Sequence, residues 1–236
     1  ILMGYKPKDF DIATNATPEQ VRSIFKKSRI IGRRFRLVHV IYGREIIEVS
    51  TFRAKPLQKI KMSNGVLKDN EFGSIEEDAE RRDFTINALY YDVENKNLID
   101  FYGGLKDIQD NKLRLIGEPK LRYKEDPIRI LRAIRFSAKL KMKIHSETLN
   151  EIRNSMGLLQ SVPYSRLFDE VMKFFFTGHS QESMVLFKKY NLSNLYFPSL
   201  ENDNKIFNDF LLQALINTDL RIKNGQSINP GFLLAV

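Results

Sequence analysis

The spacing of apolar residues changes near residue 115, and that change constrains the fold more than any other feature of the chain. Up to about residue 115, short apolar runs alternate with Gly, Asn and Asp turns; from about residue 119 the apolar residues recur at helical spacing. Short strands mixed with helices, then helices alone, imply an α+β head with a small mixed sheet followed by an all-α part. We therefore expect one domain over 1–115 and a helical one over 116–236. A length of 236 residues agrees with two domains, since it exceeds the usual single-domain size of about 100–150 residues.

Local signals sharpen this outline. Thr17-Pro18-Glu19-Gln20 reads as an N-cap, a proline at the first helical position and a Gln that closes a capping box, opening a helix through Lys27. Arg36 to Tyr42 and Glu45 to Phe52 read as β-branched and aromatic strands around a turn at Gly43. Ser74-Ile75-Glu76-Glu77 is a second capping box, and Ala88 to Val93 with Asn97 to Phe101 form a further strand pair around Glu94-Asn95-Lys96. Pro119, Pro127 and Pro163 stand at expected helix starts, where a missing amide costs nothing. Phe174-Phe175-Phe176 and the spaced Leu, Ile and Phe of 207–216 are expected to fill the helical core.

Composition excludes several classes. Apolar and charged fractions of 42% and 28% are those of a globular chain, and no apolar run approaches the length of about 18 residues needed to span a bilayer. With no Cys there is no disulfide, thiolate metal site or thiol nucleophile, and with no visible signal peptide a cytoplasmic setting is expected. The formal charge of +9 favours a polyanionic partner through long-range attraction and counterion release.

Four stretches carry chemistry. In Asp9-Phe10-Asp11 two carboxylates stand at i and i+2, on one face of an extended segment, where their repulsion is relieved by a hard cation such as Mg²⁺; a solvated turn has the same pattern. Glu48 interrupts an otherwise apolar strand centre, either as a third acid or as a charge guarding a sheet edge. Arg81-Arg82-Asp83-Phe84-Thr85-Ile86-Asn87 offers a guanidinium for phosphate at Arg82 and ribose partners at Asp83 and Asn87, or else a surface ion-pair network.

Glu125-Asp126-Pro127 leads into a helix on which Arg129, Arg132 and Arg135 recur every three residues. That spacing makes them an anion-binding ridge or a solvated basic face, with Asp126 as the cap. Asp126 and Arg129, one turn apart, also offer an acceptor beside a donor, which matches the adenine edge. His39 inside Leu37-Val38-His39-Val40 reads as a packed or hydrogen-bonded histidine, and Gly103-Gly104 as a turn.

In this order the stretches resemble the class II nucleotidyltransferases of the DNA polymerase beta superfamily, which include tRNA CCA-adding enzymes and bacterial poly(A) polymerases. The resemblance lies in Asp9-Phe10-Asp11-Ile12-Ala13-Thr14, the run RRDFTINAL from Arg81, the run EDPIR from Glu125 and the run RAIRF from Arg132. Ile30 to Val40 is similar to the segment that separates the poly(A) polymerases from the CCA-adding enzymes. The resemblance implies a nucleotidyltransferase head over 1–115 and a helical neck and body over 116–236. It also implies Mg²⁺ on Asp9 and Asp11, a catalytic set of Asp9, Asp11, Glu48 and Asp83, and nucleotide contacts from Arg82, Asn87, Asp126, Arg129, Arg132 and Arg135. The implied reaction adds AMP from ATP to RNA 3′ ends, on a monomer that has RNA and ATP as partners and no membrane.

The same chemistry on the CCA sequence of tRNA is the alternative, and a silent RNA-binding module of the same fold is the second. The family's Gly-Gly and Val-Arg-Asp groups before Leu2 and its basic C-terminal portion are absent from the sequence, and Ala54 to Lys68 is short. Both ends read as truncated, which bears on whether the chain is active by itself.

Overall fold

The computed structural model describes residues 1–4, 7, 10–32, 36–54, 72–196 and 205–231. The chain divides into two compact units, Ile1–Ile108 and Gln109–Val236.

The first unit is built on a four-stranded mixed sheet. Its strands are β1 (Asp11–Thr14), β2 (Ser28–Ile31), β3 (Leu37–Tyr42) and β4 (Glu45–Thr51), in the spatial order β1-β4-β3-β2. β1 runs parallel to β4, and the other pairs are antiparallel. Helix α1 (Pro18–Ile24) makes the crossover from β1 to β2. It starts on the expected capping box of Thr17 and Gln20, and it ends three residues before Lys27.

Alternation along β3 and β4 gives the sheet two unlike faces. One buries Val38, Val40 and Val49 against Val21 of α1, each such side chain contributing about 1.5–3 kcal/mol when fully removed from water. The other face carries His39, Glu48 and Ser50 of the same strands. The hairpin turn between β3 and β4 needs Gly43, whose φ is +62°.

Around the sheet lie α2 (Ile75–Arg81), a 3₁₀ turn at Thr85–Asn87, the hairpin β5 (Leu89–Asp92) and β6 (Asn97–Asp100), and α3 (Gly104–Gln109). α2 opens on the expected box of Ser74 and Glu77. β6 stops at Asp100 because its carboxylate turns to accept the backbone N–H groups of Gly104 and Leu105, both at 2.9 Å. Gly104 is needed there for proximity, since a Cβ would lie 2.3 Å from the carbonyl oxygen of Thr85.

Among the described residues the second unit is helical apart from the two-residue strands β7 (Lys112–Leu113) and β8 (Lys143–Ile144). Its helices are α4 (Pro119–Glu125), α5 (Ile128–Leu140), α6 (Ser146–Ser155), α7 (Tyr164–Phe175), α8 (Ser180–Lys189), α9 (Leu192–Tyr196) and α10 (Lys205–Lys223). Phe174 and Phe175 of α7 meet Phe187 of α8 at ring separations of 5.4 and 5.7 Å, forming the expected aromatic core.

In α10 the expectation is only half met. Leu211, Ala214 and Leu215 are buried, whereas Phe210 and Leu212 lie on the exposed side. An apolar run marks a core but does not say which of its members face inward, because a helix turns about 100° per residue.

Candidate active site

The parallel pairing of β1 with β4 sets Asp11 directly opposite Glu48. The antiparallel pairing of β4 with β3 sets Glu48 opposite His39, and β3 with β2 sets His39 opposite Arg29. Laterally paired residues project to the same face, so Asp11, Glu48, His39 and Arg29 form one row across the open side of the sheet. Their strand neighbours Val49, Val38 and Val40 point the other way, into the core. His39 Nε2 and Glu48 Oε1 are 3.1 Å apart, with the side chains 24% and 52% exposed. Asp11 is exposed, and Asp9 lies outside the described residues. No group of three or more His, Asp or Glu suited to a metal ion occurs among the described residues.

A cleft of about 1240 Å³ meets this row at Asp11 and is lined also by Ser50, Phe52, Arg82, Tyr90 and Asp92 among others. On its wall Arg82 is held by several partners. Nε donates to the Tyr90 hydroxyl at 3.0 Å, Nη1 to the carbonyl of Asn87 at 3.0 Å, and Nη2 to Asp78 Oδ2 at 3.3 Å. The guanidinium also stacks over the Tyr90 ring, 4.9 Å from its centre. Tyr90 in turn donates its hydroxyl to Asp78 Oδ2 at 2.7 Å. Burial and then the hydrogen bond to Asp78 push the Tyr90 hydroxyl well above the usual tyrosine range.

Asp83 and Asn87 are joined to each other. Asp83 Oδ1 accepts from Asn87 Nδ2 at 3.0 Å and from the amide of Phe84 at 2.9 Å. The intervening Phe84 and Thr85 are buried, and Thr85 donates to the buried Asp107 at 2.8 Å. Asp78 and Tyr90 were missed by the sequence reading. The i, i+4 spacing of Asp78 and Arg82 was a usable signal for the first; nothing local marks Tyr90, eight residues away.

The arginines of α5 are not a common ridge. Arg129 donates to the Arg122 carbonyl at 2.8 Å and to Glu125 at 2.9 Å, and its side chain is 14% exposed. Arg132 is half-buried and lies over the Phe136 ring at 5.2 Å. Arg135 is 8% exposed and donates from Nε to the buried Glu170 of α7 at 2.6 Å. The physical reason is angular: a step of three residues advances about 300°, so successive arginines drift toward the buried side. Asp126 stands between α4 and α5. Its Oδ1 is 3.4 Å from the amide of Ile128, and its Oδ2 accepts from Arg166 at 2.9 Å.

Comparison with known proteins places this architecture. A family profile described as "Poly A polymerase head domain" matches residues 1–114, and one described as "Probable RNA and SrmB- binding site of polymerase A" matches 141–204. The whole chain is 48% identical to Poly(A) polymerase I of Escherichia coli O6:H1, over 53% of that protein. The chain belongs to the poly(A) polymerase and CCA-adding enzyme family. It is more distantly similar to the CCA-adding enzyme of Lactobacillus helveticus, at 34% identity over 82% of this chain and 48% of that one. Among solved structures, a tRNA nucleotidyltransferase complexed with a primer tRNA and an incoming ATP analog superimposes with a TM-score of 0.70. That match has 28% identity and covers 90% of this chain and 59% of the other. The fold is thus a nucleotidyltransferase head with a small mixed sheet, followed by a helical part. The chain spans about half the length of the curated relatives it matches. No helix of the described residues is long and apolar enough to cross a membrane.

Proposed function

We propose that the parent protein extends RNA 3′ ends with AMP taken from ATP, as a monomeric cytoplasmic poly(A) polymerase, and that this chain supplies its catalytic head and base-selecting helices. The observation that carries the reading is the strand register that sets Asp11 beside Glu48 on the open face of the sheet, at a cleft large enough for a nucleotide. Whole-chain similarity to a Poly(A) polymerase I supports adenylate as the product over the CCA sequence.

In this reaction the terminal 3′-oxygen bonds to the α-phosphorus of ATP, the bond from that phosphorus to the bridging oxygen breaks, and pyrophosphate leaves. The hydroxyl proton passes to Glu48. Asp9 and Asp11 would hold Mg²⁺, whose hard-oxygen preference fits a carboxylate pair; bound there, it supplies charge neutralisation for the triphosphate. Arg82, on the cleft wall, contacts phosphate, while the joined Asp83 and Asn87 recognise the ribose. Asp126, Arg129 and Arg132 read the base. Arg135, in its buried ion pair with Glu170, steadies the helix that carries them.

The test uses the full-length protein with a labelled, unstructured RNA, Mg²⁺ and either ATP or CTP. A long adenosine ladder is expected. Incorporation of CTP that stops at tRNA ends would instead assign the CCA reaction, and RNA binding without extension would assign a silent module.

A further inference from the structure

We propose that His39 is a positioning residue, which holds the Glu48 carboxylate in place beside Asp11. This rests on the reading of Glu48 as part of the active site, and it adds a residue that this reading did not contain.

The row across the sheet carries the inference. Glu48 has His39 on one flank and Asp11 on the other, and the pleat sends all three side chains to the same face. A glutamate side chain has three rotatable bonds, and one that is half exposed on an open sheet face gains rotamer freedom when nothing holds it. It would also swing away from Asp11, because two carboxylates in adjacent register repel. The contact of 3.1 Å between His39 Nε2 and Glu48 Oε1 opposes both tendencies. The acceptor is a carboxylate, so the imidazole nitrogen is the donor.

His39 is itself the steadier partner. It is less exposed than Glu48, and it sits on a central strand between the buried Val38 and Val40. An imidazole with two torsions on that strand is therefore a fixed post, while the longer glutamate is the group being fixed. Among the row's members Asp11 and Glu48 are acids and Arg29 lies one strand beyond, so only His39 can donate to Glu48 from the adjacent strand.

The experiment compares His39→Gln, His39→Met and Glu48→Ala in the full-length protein, with ATP and a short RNA. Gln keeps an N–H donor near the position of Nε2; Met keeps the volume without one. If His39 positions Glu48, His39→Met lowers kcat by about 10- to 100-fold, as a misplacement on the order of 1 Å does, and leaves the KM for ATP within about threefold. His39→Gln restores most of the rate, and the melting temperatures of the two variants agree. A purely structural role would move stability and leave Gln and Met alike.

A kcat for His39→Met within about twofold of the unaltered protein, with Glu48→Ala inactive, overturns the inference and leaves the active-site reading standing. Full activity of Glu48→Ala overturns the reading of Glu48 and His39's role with it. If His39→Met does not fold, His39→Leu, which also lacks a donor, is read in its place against His39→Gln by the same criteria.

Discussion

The sheet of the first unit and helix α5 of the second both present charged residues at regular spacing, yet the two use them in opposite ways. On the sheet, Asp11 and Glu48 keep their carboxylates on one exposed face, because strand register pairs them and alternation turns Val49, the neighbour of Glu48, into the core. On α5, Arg129 and Arg135 are drawn into bonds with Glu125, the Arg122 carbonyl and Glu170. Period-two geometry keeps a polar row together, whereas a step of three on a helix rotates one member into the interior. A charge pattern is therefore stronger evidence of a site on a strand than on a helix.

The contrast is open to test, beginning with the largest expected effect. Removing Arg135 leaves the buried Glu170, among the described residues, with Lys173 at 3.3 Å, so Arg135→Met should cost about 3–5 kcal/mol of stability by urea unfolding. The pair Arg135→Met with Glu170→Leu should recover most of that. A loss below about 1 kcal/mol for Arg135→Met alone would show that the pair with Glu170 holds little of the fold together.

Next, Asp11→Ala should reduce extension on the order of 10²–10³-fold, equivalent to about 3–4 kcal/mol of barrier, with RNA affinity and melting temperature nearly unchanged. A variant that still polymerises would show that the exposed row is solvated surface after all.

Tyr90→Phe should cost about 1 kcal/mol by deleting the bond to Asp78, and it carries a pH signature. The folded hydroxyl is raised above its unfolded value, so its share of stability is complete below the ordinary tyrosine pKa of about 10 and is lost as pH climbs beyond it. The Phe variant should lose stability less steeply above that pH in thermal melts. The smallest effect is expected at Ser74, where replacement by Ala removes one cap bond to Glu77 and should cost about 0.5–1 kcal/mol with activity intact.

Much of the fold was legible because its signals are local. The capping boxes at Thr17 and Ser74, the β3–β4 turn at Gly43 and the hairpin of β5 with β6 depend on residues within a few positions of one another. The candidate site was legible in its residue types but not in its partnerships. Asp11 and Glu48 are 37 positions apart, Arg135 and Glu170 are 35 apart, and Asp126 and Arg166 are 40 apart. No periodicity links such pairs.

The sequence by itself determined where capped helices and hairpins form, which acids and cations stand at chemically suggestive spacings, and the family to which those spacings point. Only the tertiary structure decided which charges remain accessible. Strand register brought Asp11, Glu48 and His39 into one row, and helix packing closed Arg135 onto Glu170. The physical reason is that a charged side chain's availability depends on the neighbour that satisfies it, and that neighbour arrives through folding from a distant part of the chain.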